Sequence, residues 1–321
     1  VPRPVVFDTD MGVDDALALC LAFRSPELRI EAVTTVHGNV AVGQATDNVF
    51  RVLSVLNVAQ TLAVASGSAK PLRREPVHAE DVHGSDGLGG VTRLRNVDGS
   101  ERYPRTGEAP DRRSSSDVFA AVAEKHPGQA TLVAVGPLTN VARFVSDSPN
   151  AARRFREFVV MGGAFRRHGN MSPVAEFNVY ADPHAAEIVL NSGVPLTLVP
   201  LDVTETVVLS QERVQRHAAT RLGRFIAEMT AEYMDFGRRV EGVDGCFVHD
   251  ALAVAYLIRP DWFRGVARRV AVETEGAVAY GQTVADLREP PRFAAAPNAT
   301  ILVGVDADAF LHLFETRVLN G

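Results

Sequence analysis

The residues that most constrain this chain lie between positions 5 and 19. The run Val5-Val6-Phe7-Asp8-Thr9-Asp10-Met11-Gly12-Val13-Asp14-Asp15-Ala16-Leu17-Ala18-Leu19 packs four aspartates into one tight turn. The apolar residues before the turn predict a buried strand, and the apolar spacing after it predicts a helix. The carboxylates therefore stand at the C-terminal end of a strand and in the first turn of a helix. In open α/β sheets that edge is where ligands bind. Like charges crowded this closely raise one another's pKa unless a cation is present. A hard divalent ion with oxygen ligands is the simplest remedy. Capping a helix needs one aspartate, so a cap role for Asp14 leaves the others unexplained.

Short apolar runs at 5–8, 30–35, 61–65, 130–135, 158–161 and 196–199 alternate with helical patterns at 14–24, 43–56, 116–125 and 183–191. The runs are continuously apolar, which fits strands covered on both faces. Repeated βα units predict a mainly parallel central sheet with right-handed crossovers. The fold expected is α/β: a single large Rossmann-like domain over residues 1–321, with its active site at the C-terminal ends of the strands. Asp182-Pro183 predicts a helix start, an N-cap followed by Pro at the first position. Long polar stretches at 66–90 and 95–115 predict loops, the first lid-like. Residues 210–258 predict a mainly helical segment. Strands are expected again near 266–272 and 299–303, and a closing helix at 306–319.

A net charge of −6 gives no reason to expect nucleic acid as a partner. The basic residues are nearly all Arg, with Lys only at 70 and 125. Cys20 and Cys246 make no disulfide framework and suit a reducing compartment. No apolar run reaches membrane-spanning length, and residues 1–9 enter a strand pattern without resembling a signal peptide. A cytoplasmic protein with no membrane partner is the expectation.

Several chemistries are excluded by what is missing. There is no G-x-G-x-x-G after the first strand, no Walker A loop, no G-x-S-x-G elbow, and neither H-E-x-x-H nor paired C-x-x-C. Polar groups do recur at predicted strand ends. They are His37-Gly38-Asn39, the His83–Gly89 stretch, Gly136-Pro137-Leu138-Thr139-Asn140, Met161-Gly162-Gly163, Gly169-Asn170, Glu176-Phe177-Asn178 and His249-Asp250. Any one of them reads as an ordinary turn. Gathered at one sheet edge, carboxylates and amides with few lysines suit a neutral, hydroxyl-rich ligand such as a sugar. A phosphate would want Arg, Lys or an anion-binding nest.

This ordered set resembles the inosine–uridine nucleoside hydrolase family, whose opening D-T-D-x-G-x-D-D is matched by Asp8–Asp15. The resemblance runs from residue 5 to residue 261. It implies hydrolysis of the N-glycosidic bond of ribonucleosides to ribose and free base, with one calcium ion per subunit. The implied metal ligands are Asp10, Asp15, Asp250 and the carbonyl of Val135. Asp14 matches the general base that deprotonates the attacking water. The same match implies that Asn39, Asn178 and the aspartates hold the ribose 2′- and 3′-hydroxyls. Asn170 and Glu176 match groups at its 5′ end, while His83, Phe177 and Met161 line the pocket. His249 matches a histidine near the base that assists its departure, and an ordinary imidazole pKa near 6.5 suits that task. Family members are commonly homodimers or homotetramers, and one of these is expected.

Two departures stand out. Met11 replaces a common proline. Tyrosines that flank the base in some members, eight and twelve residues before the histidine, become Glu241 and Gly237, with Tyr233 and Phe236 as other aromatic candidates. The resemblance therefore leaves the base preference open. A haloacid-dehalogenase-like phosphatase also opens with a strand and D-x-D, but wants Thr or Val where Gly12 stands, and a lysine beside its phosphate. A catalytically inactive nucleoside- or sugar-binding protein would show a broken site, whereas Asp10, Asp14, Asp15, Asn178 and Asp250 are all present.

Overall fold

The apolar runs fold as strands because both faces of the sheet they form are covered. A computed structural model describes residues 1–58, 62–293 and 295–320. Its central sheet contains β1 (Arg3–Thr9), β2 (Leu28–Thr35), β3 (Ala63–Ser66), β4 (Thr131–Ala134), β5 (Glu157–Met161), β6 (Leu196–Val199), β7 (Phe263–Arg268) and β8 (Ala299–Val305). The strand order is β3-β2-β1-β4-β5-β6-β8-β7. Every neighbouring pair is parallel except β8 with β7, which is antiparallel.

Side chains along the strands alternate between two apolar layers. Val5, Phe7, Val133, Val135, Val159 and Met161 belong to one, and Val6, Leu132, Ala134, Phe158 and Val160 to the other. The first layer is closed by helices α1 (Val13–Phe23), α2 (Val42–Leu56), α6 (Arg221–Phe236) and α7 (His249–Ile258). The second is closed by α3 (Ser115–Lys125), α4 (Thr139–Asp147) and α5 (Pro183–Leu190).

This order places the site. From β1 the chain proceeds outward to β2 and β3, then returns to β4 on the other side of β1. Helix α1 leaves β1 toward one face, and α4 follows β4 on the opposite face. The C-terminal ends of β1 and β4 thus flank a switch point, where a crevice opens in doubly wound sheets. Asp10 and Val135 stand on its two sides.

The parallel α/β architecture is as expected. The strand expected at 266–272 is instead two: β7, and Val270–Val272, which pairs with Thr283–Ala285 in a separate hairpin. Residue 61, the start of the expected third strand, lies outside the described residues. The Asp182 side chain caps α5 by accepting from the N–H of Ala185 at 3.0 Å. The stretch 66–90 holds a short helix, Glu80–His83, and the closing helix Ala307–Phe314 runs on into a π-helical turn, Glu315–Leu319. Among the described residues no helix is long and apolar enough to cross a membrane.

Candidate active site

The turn after β1 is assembled around Asp15. Its Oδ2 accepts from the N–H of Gly12 at 2.7 Å and from Asn39 Nδ2 at 2.9 Å, and its Oδ1 accepts from the Thr9 hydroxyl. Thr9 Oγ1 also accepts the N–H of Met11 at 3.0 Å. Met11 takes a left-handed φ of 36°, uncommon for a residue with a Cβ. Gly12 lacks a side chain for lack of room: a Cβ there would lie 2.5 Å from Asn39 Nδ2 and 2.8 Å from His83 Nδ1.

Asp10 is reached from the loop after β2. Its Oδ2 accepts the N–H of Asn39 at 2.7 Å, while Oδ1 is buried with no hydrogen-bond partner. A Cβ on Gly38 would fall 1.9 Å from Asp10 Oδ2, so the HGN turn needs glycine to pass that close. Asp250 enters from the first turn of α7. Asp14, Asp15 and Asp250 each offer an oxygen, and these oxygens lie within 4.8 Å of one another. Asp10, Asp14, Asp15 and Asp250 are all at most 6 % exposed.

Burying like charges together raises their pKa values. Burial pushes Asp14 and Asp15 up to about 6, and Asp14's charge adds to the effect on Asp15. Asp10 and Asp250 are raised well above the usual carboxylate range, by burial first and then by neighbouring aspartates. Among the described residues no Lys or Arg pairs with any of the four. Lys70 binds Glu75 and Lys125 binds Glu31, so neither supplies the cation a phosphatase would need. An all-oxygen donor set, an orphaned buried oxygen on Asp10 and no Lys or Arg partner among the described residues fit a hard divalent cation; the cluster that could hold it contains Asp14, Asp15 and Asp250, so Asp14 stands in it where the sequence predicts Asp10.

The remaining residues sit at adjoining strand ends. Asn178 Nδ2 donates to the carbonyl of Val135 at 2.8 Å and to that of Met161 at 3.2 Å, bridging β4 and β5. Glu176 Oε1 accepts from the N–H of Asn178, and its Oε2 from those of Gly163 and Val179, at 2.8 to 3.1 Å. It thereby caps the short helix Phe177–Ala181. Asn170 is exposed, and its Oδ1 accepts the N–H of Phe177 at 2.8 Å. His83 Nδ1 accepts the N–H of Val13 at 3.1 Å and lies 3.8 Å from Asp14 Oδ1. Burial pushes this imidazole down to about 4.

His249 differs from the sequence expectation of an ordinary imidazole pKa. Burial, with a contribution from His83, pushes it down to about 3, so the ring is neutral near pH 7. Its Nδ1 lies 2.7 Å from the Thr204 hydroxyl. Of the two aromatic candidates, Tyr233 is buried and packs its ring against His83 with centroids 5.2 Å apart. Sequence reasoning gave no role to Thr9, although it stands inside the D-T-D signature, and did not single out Thr204, which ends the short helix Leu201–Thr204 and meets a partner 45 positions away.

The family described as inosine-uridine preferring nucleoside hydrolase matches residues 5–312. A pyrimidine-specific ribonucleoside hydrolase of Citrobacter koseri is 37% identical over 322 residues, covering 98% of this chain and 97% of the relative. Among solved structures, a plant nucleoside hydrolase superposes with a TM-score of 0.90 at 29% identity over 100% of both chains. A purine-preferring ribonucleoside hydrolase from Gardnerella vaginalis superposes with a TM-score of 0.88 at 29% identity over 98% of both.

Proposed function

Since the chain belongs to the inosine–uridine preferring nucleoside hydrolase family and is a hydrolase of nucleosides, we propose that it splits ribonucleosides with calcium as its ion and Asp14 as its base. The observation that carries this reading is the buried trio Asp14, Asp15 and Asp250, oxygens within 4.8 Å, with no Lys or Arg paired to it among the described residues. Asp10, Asp15, Asp250 and the Val135 carbonyl would hold the ion, which accepts six to eight oxygens in loose geometry. Once bound, it supplies Lewis-acid chemistry, polarising water and the ribose hydroxyls.

Asp14 is the carboxylate left for proton transfer. Asp15 is committed to Thr9, Gly12 and Asn39, whereas among the described residues Asp14 accepts the N–H of Asp15, at 3.2 Å, and no side-chain donor. Without a cation burial raises this carboxyl to about 6, and a bound divalent ion would bring it down again. In the reaction a water oxygen bonds to C1′, its proton passes to Asp14, and the C1′–N bond breaks with its electron pair leaving on the base. The sugar passes through oxocarbenium character, as in glycosidases. Asn39 and Asn178 hold the ribose hydroxyls, with Asn170 and Glu176 toward the 5′ end. His83, Phe177 and Met161 line the pocket, and His249 stands on the base side. The whole chain, 1–321, is taken as one catalytic unit.

The test is a hydrolysis screen over purine and pyrimidine ribonucleosides, read by release of reducing sugar. Turnover of at least one, abolished by chelation and restored by calcium, is expected. No turnover across the panel by calcium-loaded protein would overturn the reading.

A further inference from the structure

Side chains hold the backbone of the aspartate turn from several sides. Thr9 Oγ1 takes the N–H of Met11 at 3.0 Å, Asp15 Oδ2 that of Gly12 at 2.7 Å, and His83 Nδ1 that of Val13 at 3.1 Å. The carbonyl of Met11 remains, and Asn48 takes it. Asn48 Nδ2 donates to that carbonyl at 3.2 Å and to the carbonyl of Asp86 at 2.8 Å. Asn48 lies in the second turn of α2 and is fully buried. Gln44 Nε2, one turn earlier, donates to Asn48 Oδ1 at 2.9 Å, so both ends of the amide are matched.

The two carbonyls belong to different parts of the site. Met11 is the left-handed residue of the turn, with φ of 36°, a conformation that persists only when its surroundings hold it. Asp86 belongs to the loop that carries His83. That loop winds around the Asp86 carboxylate, which accepts the N–H groups of Leu88, Gly90 and Thr92 at 2.9 to 3.0 Å and the Thr92 hydroxyl at 2.7 Å. Turn and loop meet closely: a Cβ on Gly87 would lie 3.0 Å from Asn48 Nδ2 and 3.3 Å from the Met11 carbonyl. Asn48, from outside both, joins them. Asp14 comes three residues after Met11, and His83 Nδ1 lies 3.8 Å from its Oδ1.

We propose that Asn48 is a positioning residue for hydrolysis, whose amide ties the Met11 carbonyl to the His83 loop and thereby fixes where Asp14 stands. The inference rests on the ribonucleoside reading above. Asn48 acts through Asp14 and touches no reacting atom. A displacement of about 1 Å in a reacting group costs on the order of 10²-fold in rate. The loss belongs to kcat, because the groups proposed to grip the ribose keep their own partners. It is shared by nucleosides and p-nitrophenyl riboside, because Asp14 serves both.

The experiment uses Asn48→Leu, which keeps the bulk of the side chain and removes both donors, and Asn48→Ser, which leaves one donor on a shorter arm. Rates are measured on calcium-loaded protein well below each variant's melting temperature, with the faster of uridine and inosine and with p-nitrophenyl riboside. Asn48→Leu should lower kcat by about 10- to 100-fold on both substrates, with KM changed by about threefold at most. Made in Asp14→Asn, the same substitution should cost little more, since residues acting through one another are not additive. Amide exchange reads the joint without turnover. Protection at Val13 should fall by about tenfold or more, while Val133, on a strand flanked on both sides, keeps its own. Asn48→Ser should lie between wild type and Asn48→Leu in each measurement, and it decides the matter if Asn48→Leu does not fold. A merely structural Asn48 would lower the melting temperature and leave kcat of the folded protein at the wild-type value, or its loss would multiply with that of Asp14→Asn. Either result overturns the inference while the hydrolase reading stands. If wild type splits neither the nucleosides nor p-nitrophenyl riboside, the hydrolase reading fails and takes this role with it.

Discussion

His249 Nδ1 lies 2.7 Å from the Thr204 hydroxyl, which leaves Nε2 as the ring nitrogen available to a ligand. With the hydroxyl donating, the single proton of a neutral imidazole sits on Nε2. Burial holds the ring neutral, with its pKa at about 3, so the help proposed for it at a departing base would be a hydrogen bond and not a proton from a standing imidazolium.

His249→Ala should therefore slow hydrolysis of ordinary nucleosides by about 10²–10³-fold, the cost of removing one hydrogen-bond donor aimed at developing charge. It should slow p-nitrophenyl riboside far less, because that leaving group needs little help. Steady-state rates on both substrates check this. Equal losses would mean that His249 acts only by orienting the adjacent Asp250.

Asp14→Asn keeps the volume of the side chain and removes its basicity. Turnover should fall by about 10²–10⁴-fold, while a ribose-bearing inhibitor still binds, measured by calorimetry. The substitution leaves the Thr9, Gly12 and Asn39 hydrogen bonds to Asp15 intact, so the melting temperature should change little. A near-wild-type rate would remove Asp14 from the proton-transfer step.

Much of this architecture is legible in the sequence, for identifiable reasons. Strands buried on both faces leave unbroken apolar runs, as at Val5–Phe7 and Phe158–Met161, and Asp182-Pro183 announces α5 through its own cap. The aspartate turn is legible because its crowding has no ordinary structural use. The hairpin formed by Val270–Val272 and Thr283–Ala285 is not, because residues 266–272 read as one run and the break depends on distant partners. Thr204 escapes notice for the same reason: its partner His249 is 45 positions away. Counting offsets back from His249 gives Glu241 and Gly237 but not which way they face. The π-helical turn Gly237–Glu241 shifts the angular register that such counting assumes.

Glu31 offers a pH test remote from the pocket. Burial alone would raise its carboxyl, but hydrogen bonds from Lys125, Arg29 and His126 outweigh it and hold it down to about 2, from an ordinary 4.5. A depressed carboxyl pKa contributes stability that is fully present above the unfolded value and is lost as pH falls through the folded one. Glu31→Gln should thus be less stable than wild type at pH 7, by on the order of 1 kcal/mol after solvent screening. The gap should close as pH drops from about 4.5 toward about 2. Urea melts of both proteins across that range measure it. A gap independent of pH would show that Glu31 contributes by packing and not by charge.

Removal of the proposed ion provides the remaining test, and its outcome follows from the carboxylates themselves. Asp10 Oδ1 is buried without a partner, and Asp14, Asp15 and Asp250 crowd their oxygens within 4.8 Å. Without a cation these groups repel one another in a dry site. A ligand that binds only the folded state stabilises it, by about 2.7 kcal/mol at a hundredfold excess over Kd. For a chain of this size that is a shift of roughly 4 °C in melting temperature. Chelation should lower the melting temperature by that amount and abolish turnover. Added calcium should restore both, and magnesium should restore them poorly, because it demands near-ideal octahedral geometry that a cluster of fixed carboxylates does not offer. Scanning calorimetry with elemental analysis of the purified protein decides the matter. Full activity and an unchanged melt after exhaustive chelation would show that the trio is held together by shared protons, as its raised pKa values allow, and not by a metal.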